Sequence, residues 1–419
     1  MSGRLDAGAA GSHPPTRTPM KQGTTVTDLI GQILETTTFR RRDVEAVLGA
    51  DGASWCRFDP EIGYVPRDIV LKDGIDFSHT TYSHEPTGQR RMVNYRDRPC
   101  RINTYGDSFT QCQQVSDDES WQERLAAHLG EPIRNFGCGG HSLYAAYLRA
   151  LRTEDTSCSA EYVVLTVYDD DHVRNLDASR WLRTNWNDRH RPADRTWPLH
   201  GLPWSHVRFD LSQNRFVELP GACRTGEDLL ALCDKDHFRA TFADDQILRL
   251  FALEIGGEAD FADLEAVAEA LGIDVDLRDA RTRRAQAAKL RRHYGMKASR
   301  YILGKLQPWL RSRGKKLLVP LAYGEDEIVN FLKGGDRFDA SFVDDLTQND
   351  IPFFDMLEVH KADYANFRIS PEQYVERFYI KPTAAAVFGH YTPMGNLFFA
   401  MALKDRLVSW VDPKPHAYR

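Results

Sequence analysis

Thr104-Tyr105-Gly106-Asp107-Ser108-Phe109-Thr110 is the stretch around which the rest of the 419-residue chain can be read. Before it, the short alternating run Cys100-Arg101-Ile102-Asn103-Thr104-Tyr105 has the pattern of a strand running into a core. After it, Ser116-Asp117-Asp118-Glu119 forms a capping-box start, and Trp121, Leu125 and Leu129 follow at the spacing of one helix face, closed by Gly130. Gly106 and Asp107 therefore fall where a strand ends in a tight turn, and Ser108 is presented on that turn. A hydroxyl at the carboxyl end of a strand is a common position for a nucleophile in an α/β protein. The same Asp-Ser pair also serves as a plain turn cap, so three further stretches decide between the two readings.

In Asn135-Phe136-Gly137-Cys138-Gly139-Gly140-His141-Ser142, the glycines allow backbone to approach a ligand closely. Tyr162-Val163-Val164-Leu165-Thr166-Val167 is a buried-strand run that ends in Tyr168-Asp169-Asp170-Asp171-His172. Gly389-His390-Tyr391-Thr392-Pro393-Met394-Gly395-Asn396 lies directly before the apolar helix that starts at Leu397. In order, spacing and content these blocks resemble the SGNH (GDSL-type) hydrolase superfamily, well over residues 102–175 and moderately over 315–403. The resemblance implies a flavodoxin-like, doubly wound parallel sheet and a serine-esterase chemistry. It assigns Ser108 as nucleophile, His390 as base, and Ser108 and Gly140 as oxyanion donors. Asp170 stands where the family has its oxyanion asparagine. The aspartate that should precede the histidine by two or three residues is replaced by Phe388 and Val387.

Composition bounds these readings. With 42% hydrophobic and 27% charged residues, the chain can bury a sizeable core. A net charge of −6 argues against nucleic acid as a partner of the whole chain. No apolar run approaches the ~20 residues that a membrane span requires. Residues 1–23 read as a disordered tail without the apolar segment of a secretory signal. Seven cysteines, with no Cys-x-x-Cys pair, suit neither a disulfide framework nor a zinc site, so a reducing, cytoplasmic setting is expected.

Strands alternating with helices over 100–180 and again over 315–419 predict a parallel sheet covered on both faces. Residues 24–99 carry too few apolar side chains for their own core and read as an N-terminal extension packed on that sheet. Between the two core segments, 181–314 reads as an inserted, mainly helical cap. It has a hairpin around Val207–Phe209 and Phe216–Leu219, and three helical stripes. The basic run Arg278–Lys316 has two readings, a solvated helix face or an anion-steering patch.

Ser108 needs a base within hydrogen-bond reach, and His390 is the candidate. The departure at Asp170 is chemical: a carboxylate donates to an oxyanion only when protonated, which crowding by Asp169 and Asp171 would favour. Otherwise His172 or Asn175 supplies the third donor, with Asp107 and Asp169 in support. A backbone carbonyl, Asp355, Glu358 or Asp363 are the alternatives for orienting His390. The leading expectation is a cofactor-free hydrolase of a small or carbohydrate ester. Alternatives are an acyltransferase on the same scaffold, a non-catalytic glycan-binding member, and a phosphohydrolase or lyase holding Mg²⁺ or Mn²⁺ on Asp107, Asp169, Asp170, Asp171 and His172.

Overall fold

The computed structural model describes residues 28–49, 54–188, 201–381 and 388–419. The expected tail and Val387 lie outside them. The central sheet contains β1 (Ile102–Tyr105), β2 (Ile133–Asn135), β3 (Tyr162–Leu165), β4 (Val167–Tyr168), β5 (Lys316–Ala322) and β6 (Phe353–Asp355). Its order is β6-β5-β3-β1-β2, with every pairing parallel, and β4 continues alongside β5 beyond Thr166. The fold is thus α/β with a parallel central sheet.

That order dictates where the helices go. The chain steps from β1 outward to β2, then back past β1 to β3 and on to β5. Right-handed crossovers therefore put the β1–β2 helix on one face and the two later crossover helices on the other. The packing agrees. Helix Trp121–Leu129 lies against the last helix, Pro393–Trp410, with the Trp121 and Phe399 rings 5.1 Å apart. Helix Leu143–Glu154 packs with the 29-residue helix Arg283–Arg311. The reversal point is the gap between β1 and β3, where the order opens a crevice at the carboxyl ends.

Several boundaries differ from the sequence reading, each for a local reason. Strand β6 stops at Asp355, because that carboxylate accepts the Leu357 N–H at 3.0 Å and starts a helix at Met356, although the apolar run continues through Leu357. Helix Arg283–Arg311 is not part of a cap. Its Leu290, Tyr294, Ile302, Leu303 and Leu306 are buried in the same apolar cluster as the sheet, and it leads directly into β5. The basic run upon it is largely tied down rather than free for an anion: Arg291 pairs with Glu254, Arg283 with Glu258, and Lys289 and Arg284 donate to backbone carbonyls.

The N-terminal segment and the first part of the insertion complete each other. A second apolar cluster joins Ile33, Leu34, Phe39 and Val44 to Leu182, Trp204, Phe238 and Phe242. Residues 24–99 thus lacked a core because half of it lies 150 residues downstream. The segment also clamps the sheet, since the buried Arg90 donates to the carbonyls of Gln111, Cys112 and Val115 and pairs with Asp117.

Histidines 84, 141, 172, 206, 360 and 390 are all buried. Burial pushes His84, His141, His360 and His390 down to about 3, and His172 and His206 to about 4. In the unfolded chain each titrates near ~6.5. Folded values that lie below unfolded ones give stability that is full above ~6.5 and is lost as pH falls towards 4. Asp107, Asp169 and Asp171, whose carboxyls burial raises, act in the opposite sense. Each ring that is neutral in the fold and takes up a proton on unfolding contributes roughly 1.4 kcal/mol per pH unit near pH 5. Urea midpoints should therefore drop steeply between pH 6.5 and 4.5; midpoints independent of pH would contradict the buried neutral rings.

Candidate active site

The turn after β1 is built by Asp107. Its Oδ1 accepts the Phe109 N–H at 2.9 Å and so starts the short helix Ser108–Gln111. Ser108 is buried, and its Oγ lies 3.5 Å from Asp107 Oδ2. The glycine loop after β2 lies along this turn. Phe136 N–H donates to Thr104 O, Cys138 N–H to Gly106 O, and Gly139 N–H to Gln111 Oε1. A Cβ on Gly137 would sit 2.1 Å from Gln111 N, so only glycine permits this approach. Gly140, at φ +76°, closes the loop. The N–H groups of Ser108 and Gly140 make no hydrogen bond with the described residues.

The acidic block after β4 is organised by one arginine that the sequence reading passed over. Arg174 is buried; its Nη1 donates to Asp171 Oδ1 (2.7 Å), Asp107 Oδ2 (3.0 Å) and His141 O (3.1 Å), and its Nε to Asp170 Oδ2 (2.8 Å). Two more cations close on Asp170: Arg180 at 3.5 Å and Arg183 at 3.8 Å. Burial alone would raise the Asp170 carboxyl, but Arg174, Arg183 and Arg180 together hold it far below the usual range. Asp170 is therefore ionised, and it is no oxyanion donor: it accepts from arginines.

The other expected helpers are also committed elsewhere. Asn175 accepts the Tyr144 N–H and donates to Ser299 Oγ, so it joins two helices. His172 Nδ1 lies 2.8 Å from Ser299 Oγ, with its ring against Phe342. Asp169 accepts the Gly324 N–H at 3.0 Å and is raised to about 7 by burial. Asp107 and Asp171 share the same guanidinium nitrogen and titrate as a unit, both raised by burial. Their lone pairs serve this network. Among the described residues, no group of three or more His, Cys, Asp and Glu is arranged to hold a metal ion.

His390 sits across the crevice, its ring centroid 5.3 Å from that of Phe109 and 5.0 Å from that of Phe388. No hydrogen bond joins it to Ser108 among the described residues. Its orienting partner is Gln114, whose Oε1 takes the His390 backbone N–H at 2.7 Å and lies 2.9 Å from Nδ1. Because a backbone N–H must find an acceptor, the amide oxygen is the atom facing the ring. Nδ1 then carries the proton, and Nε2 keeps its lone pair. Of the carboxylates considered for this role, Asp355 is engaged with Arg337 and Asp363 with the Tyr374 hydroxyl. Gln114 adopts φ +68°, a left-handed backbone that is uncommon outside glycine and that the sequence does not signal.

No protein-family model and no curated protein matches the chain.

Two substitutions test this geometry. Asp170→Asn removes the charge that three arginines share and should destabilise the protein by about 1–3 kcal/mol, the exposed part of the side chain reducing a buried-pair cost. A urea midpoint unchanged by the substitution would show that Asp170 is not ionised. Gln114→Glu sets a carboxylate against Nδ1 and should move the His390 titration upward from about 3. Ring-proton NMR reads this directly, and an unmoved titration would separate Gln114 from the ring.

Proposed function

We propose that the chain is a serine hydrolase of the SGNH type, cleaving a carboxylic ester on a flavodoxin-like scaffold. The observation that carries this reading is the tautomer of His390, whose ring packs against Phe109 beside Ser108: Gln114 Oε1 faces Nδ1–H, which leaves the lone pair that a base needs on Nε2. The unspent N–H groups of Ser108 and Gly140 support it, because an oxyanion requires preorganised donors.

The chemistry is acyl transfer. Ser108 Oγ attacks the ester carbonyl carbon while His390 Nε2 takes its proton, and the negative charge on the carbonyl oxygen is met by the two N–H groups. The C–O bond to the alcohol breaks as His390 returns that proton to the leaving oxygen. Water, deprotonated by the same nitrogen, then releases the acid. A neutral amide stabilises the imidazolium less than an orienting carboxylate would, and burial, with the charges of Arg174 and Arg180 added, disfavours it further. The enzyme in this reading is a slow one with an unusually acid-tolerant base.

Ser108→Ala should abolish release of p-nitrophenol from p-nitrophenyl acetate and prevent labelling by a fluorophosphonate, with a melting temperature close to that of the native protein. Native-level turnover in this variant would overturn the serine mechanism. In the native enzyme, kcat/KM should show no His390 limb between pH 5.5 and 8, because that ring is already neutral there with a value of about 3, whereas Asp169, raised to about 7, titrates within the window. A limb near the ordinary histidine value of ~6.5 that persists in Asp169→Asn would place the base in a different environment.

A further inference from the structure

Three arginines surround Asp170, and two of them are spent. Arg174 donates to three carboxylates and a carbonyl, and Arg183 makes a two-pronged pair with Asp177 at 2.9 and 2.6 Å. Arg180 differs. Its side chain is only 16% exposed, its Nε is shielded from solvent, and none of its guanidinium N–H groups makes a hydrogen bond with the described residues. Its one ion pair among the described residues is the 3.5 Å contact with Asp170, a carboxylate it shares with the other two.

The main chain of Arg180 is fixed. Its carbonyl accepts the N–H groups of Arg183 and Thr184, and Gly201 lies so close that a Cβ there would meet Arg180 Cβ at 2.8 Å. Its charge reaches both halves of the crevice, lowering Asp107 on the Ser108 side and His390 on the other. A largely buried guanidinium whose N–H groups make no hydrogen bond with the described residues is costly to keep and is suited to binding a carboxylate or similar oxyanion in two-pronged fashion.

We infer that Arg180 selects the substrate: the ester cleaved at Ser108 carries a negatively charged group, of the carboxylate class, close to the scissile bond, and that group docks on the free fork of Arg180. The inference rests on the serine-hydrolase reading of the same site. A transient reaction oxyanion is a weaker match for Arg180, since it exists only within turnover, whereas the guanidinium is largely buried throughout; a charge present in the bound ground state offsets that cost for the life of the complex.

The test pairs binding with kinetics. Calorimetric titration with succinate, with succinamide as the uncharged control, should detect succinate alone. Affinity should fall at least tenfold in Arg180→Gln and less in Arg180→Lys, which keeps the charge and loses the fork. Arg180→Met serves where the glutamine variant fails to fold. In turnover, the ratio of kcat/KM for p-nitrophenyl hemisuccinate to that for p-nitrophenyl butyrate should exceed one and fall at least tenfold in Arg180→Gln. Equal succinate binding by native and variant proteins, or no binding by the native protein, overturns the inference. So does an equal loss on both esters, which would make Arg180 an oxyanion donor. If neither ester is cleaved and Ser108 resists the fluorophosphonate while succinate binding still depends on Arg180, the hydrolase reading fails and the anion site stands.

Discussion

The hydrogen bonds of Arg174 hold the crevice together. One guanidinium joins the turn after β1 through Asp107, the loop after β2 through the His141 carbonyl, and the segment after β4 through Asp170 and Asp171. These pieces come from separate crossovers, and nothing in the strand pairing itself would bring their ends into register. All but Asp170 are nearly inaccessible to water, so the Arg174 charge is stable there only because its partners are present. Loss of one partner would leave a buried, uncompensated ion and free the turn that presents Ser108.

The electrostatic character of the site follows from that arrangement. Asp170 is consumed in balancing three arginines, so the crevice has no protonated carboxyl there to donate. The guanidinium charges then act on whatever stands opposite. They add to burial in keeping His390 neutral, and the ring is steered by a neutral amide rather than an acid. The two positions at which the sequence differs from the SGNH pattern it resembles, Asp170 and the residues before His390, thus belong to one arrangement. Fixed positive charge gathers on Asp170, and Gln114 positions the His390 ring.

The two apolar clusters explain how such a polar site is sheltered. One lies around the sheet and includes the long helix Arg283–Arg311; the other unites the N-terminal helices with the segment after the acidic block. Tyr64, buried in the second, donates its hydroxyl to Gly139 O, and its own carbonyl lies 3.0 Å from His141 Nε2. The glycine loop is therefore supported from the side opposite the serine turn. The N-terminal segment acts as a strut for the site as well as a partner for the insertion.

The strand–turn–helix around Ser108, the helix caps at Ser116–Glu119 and Gly130, the glycine loop and the hairpin near residue 207 were all legible in the sequence. Each is set by short-range periodicity and turn chemistry that a linear string displays. The parallel α/β class followed from the alternation of those elements. Arg174 had a faint signal, four residues after Asp170 on one helical turn, and Arg180 and Arg183 continue an acid–base alternation that reads equally well as a solvated surface. Gln114 had none, because its role depends on a left-handed backbone and on a histidine 276 residues away. The protonation of Asp170, the engagement of His172 and Asn175 with Ser299, and the sharing of one core by distant segments were decided only by tertiary structure. Burial and ion pairing are properties of neighbours in space, and the sequence names the groups without saying which of them meet.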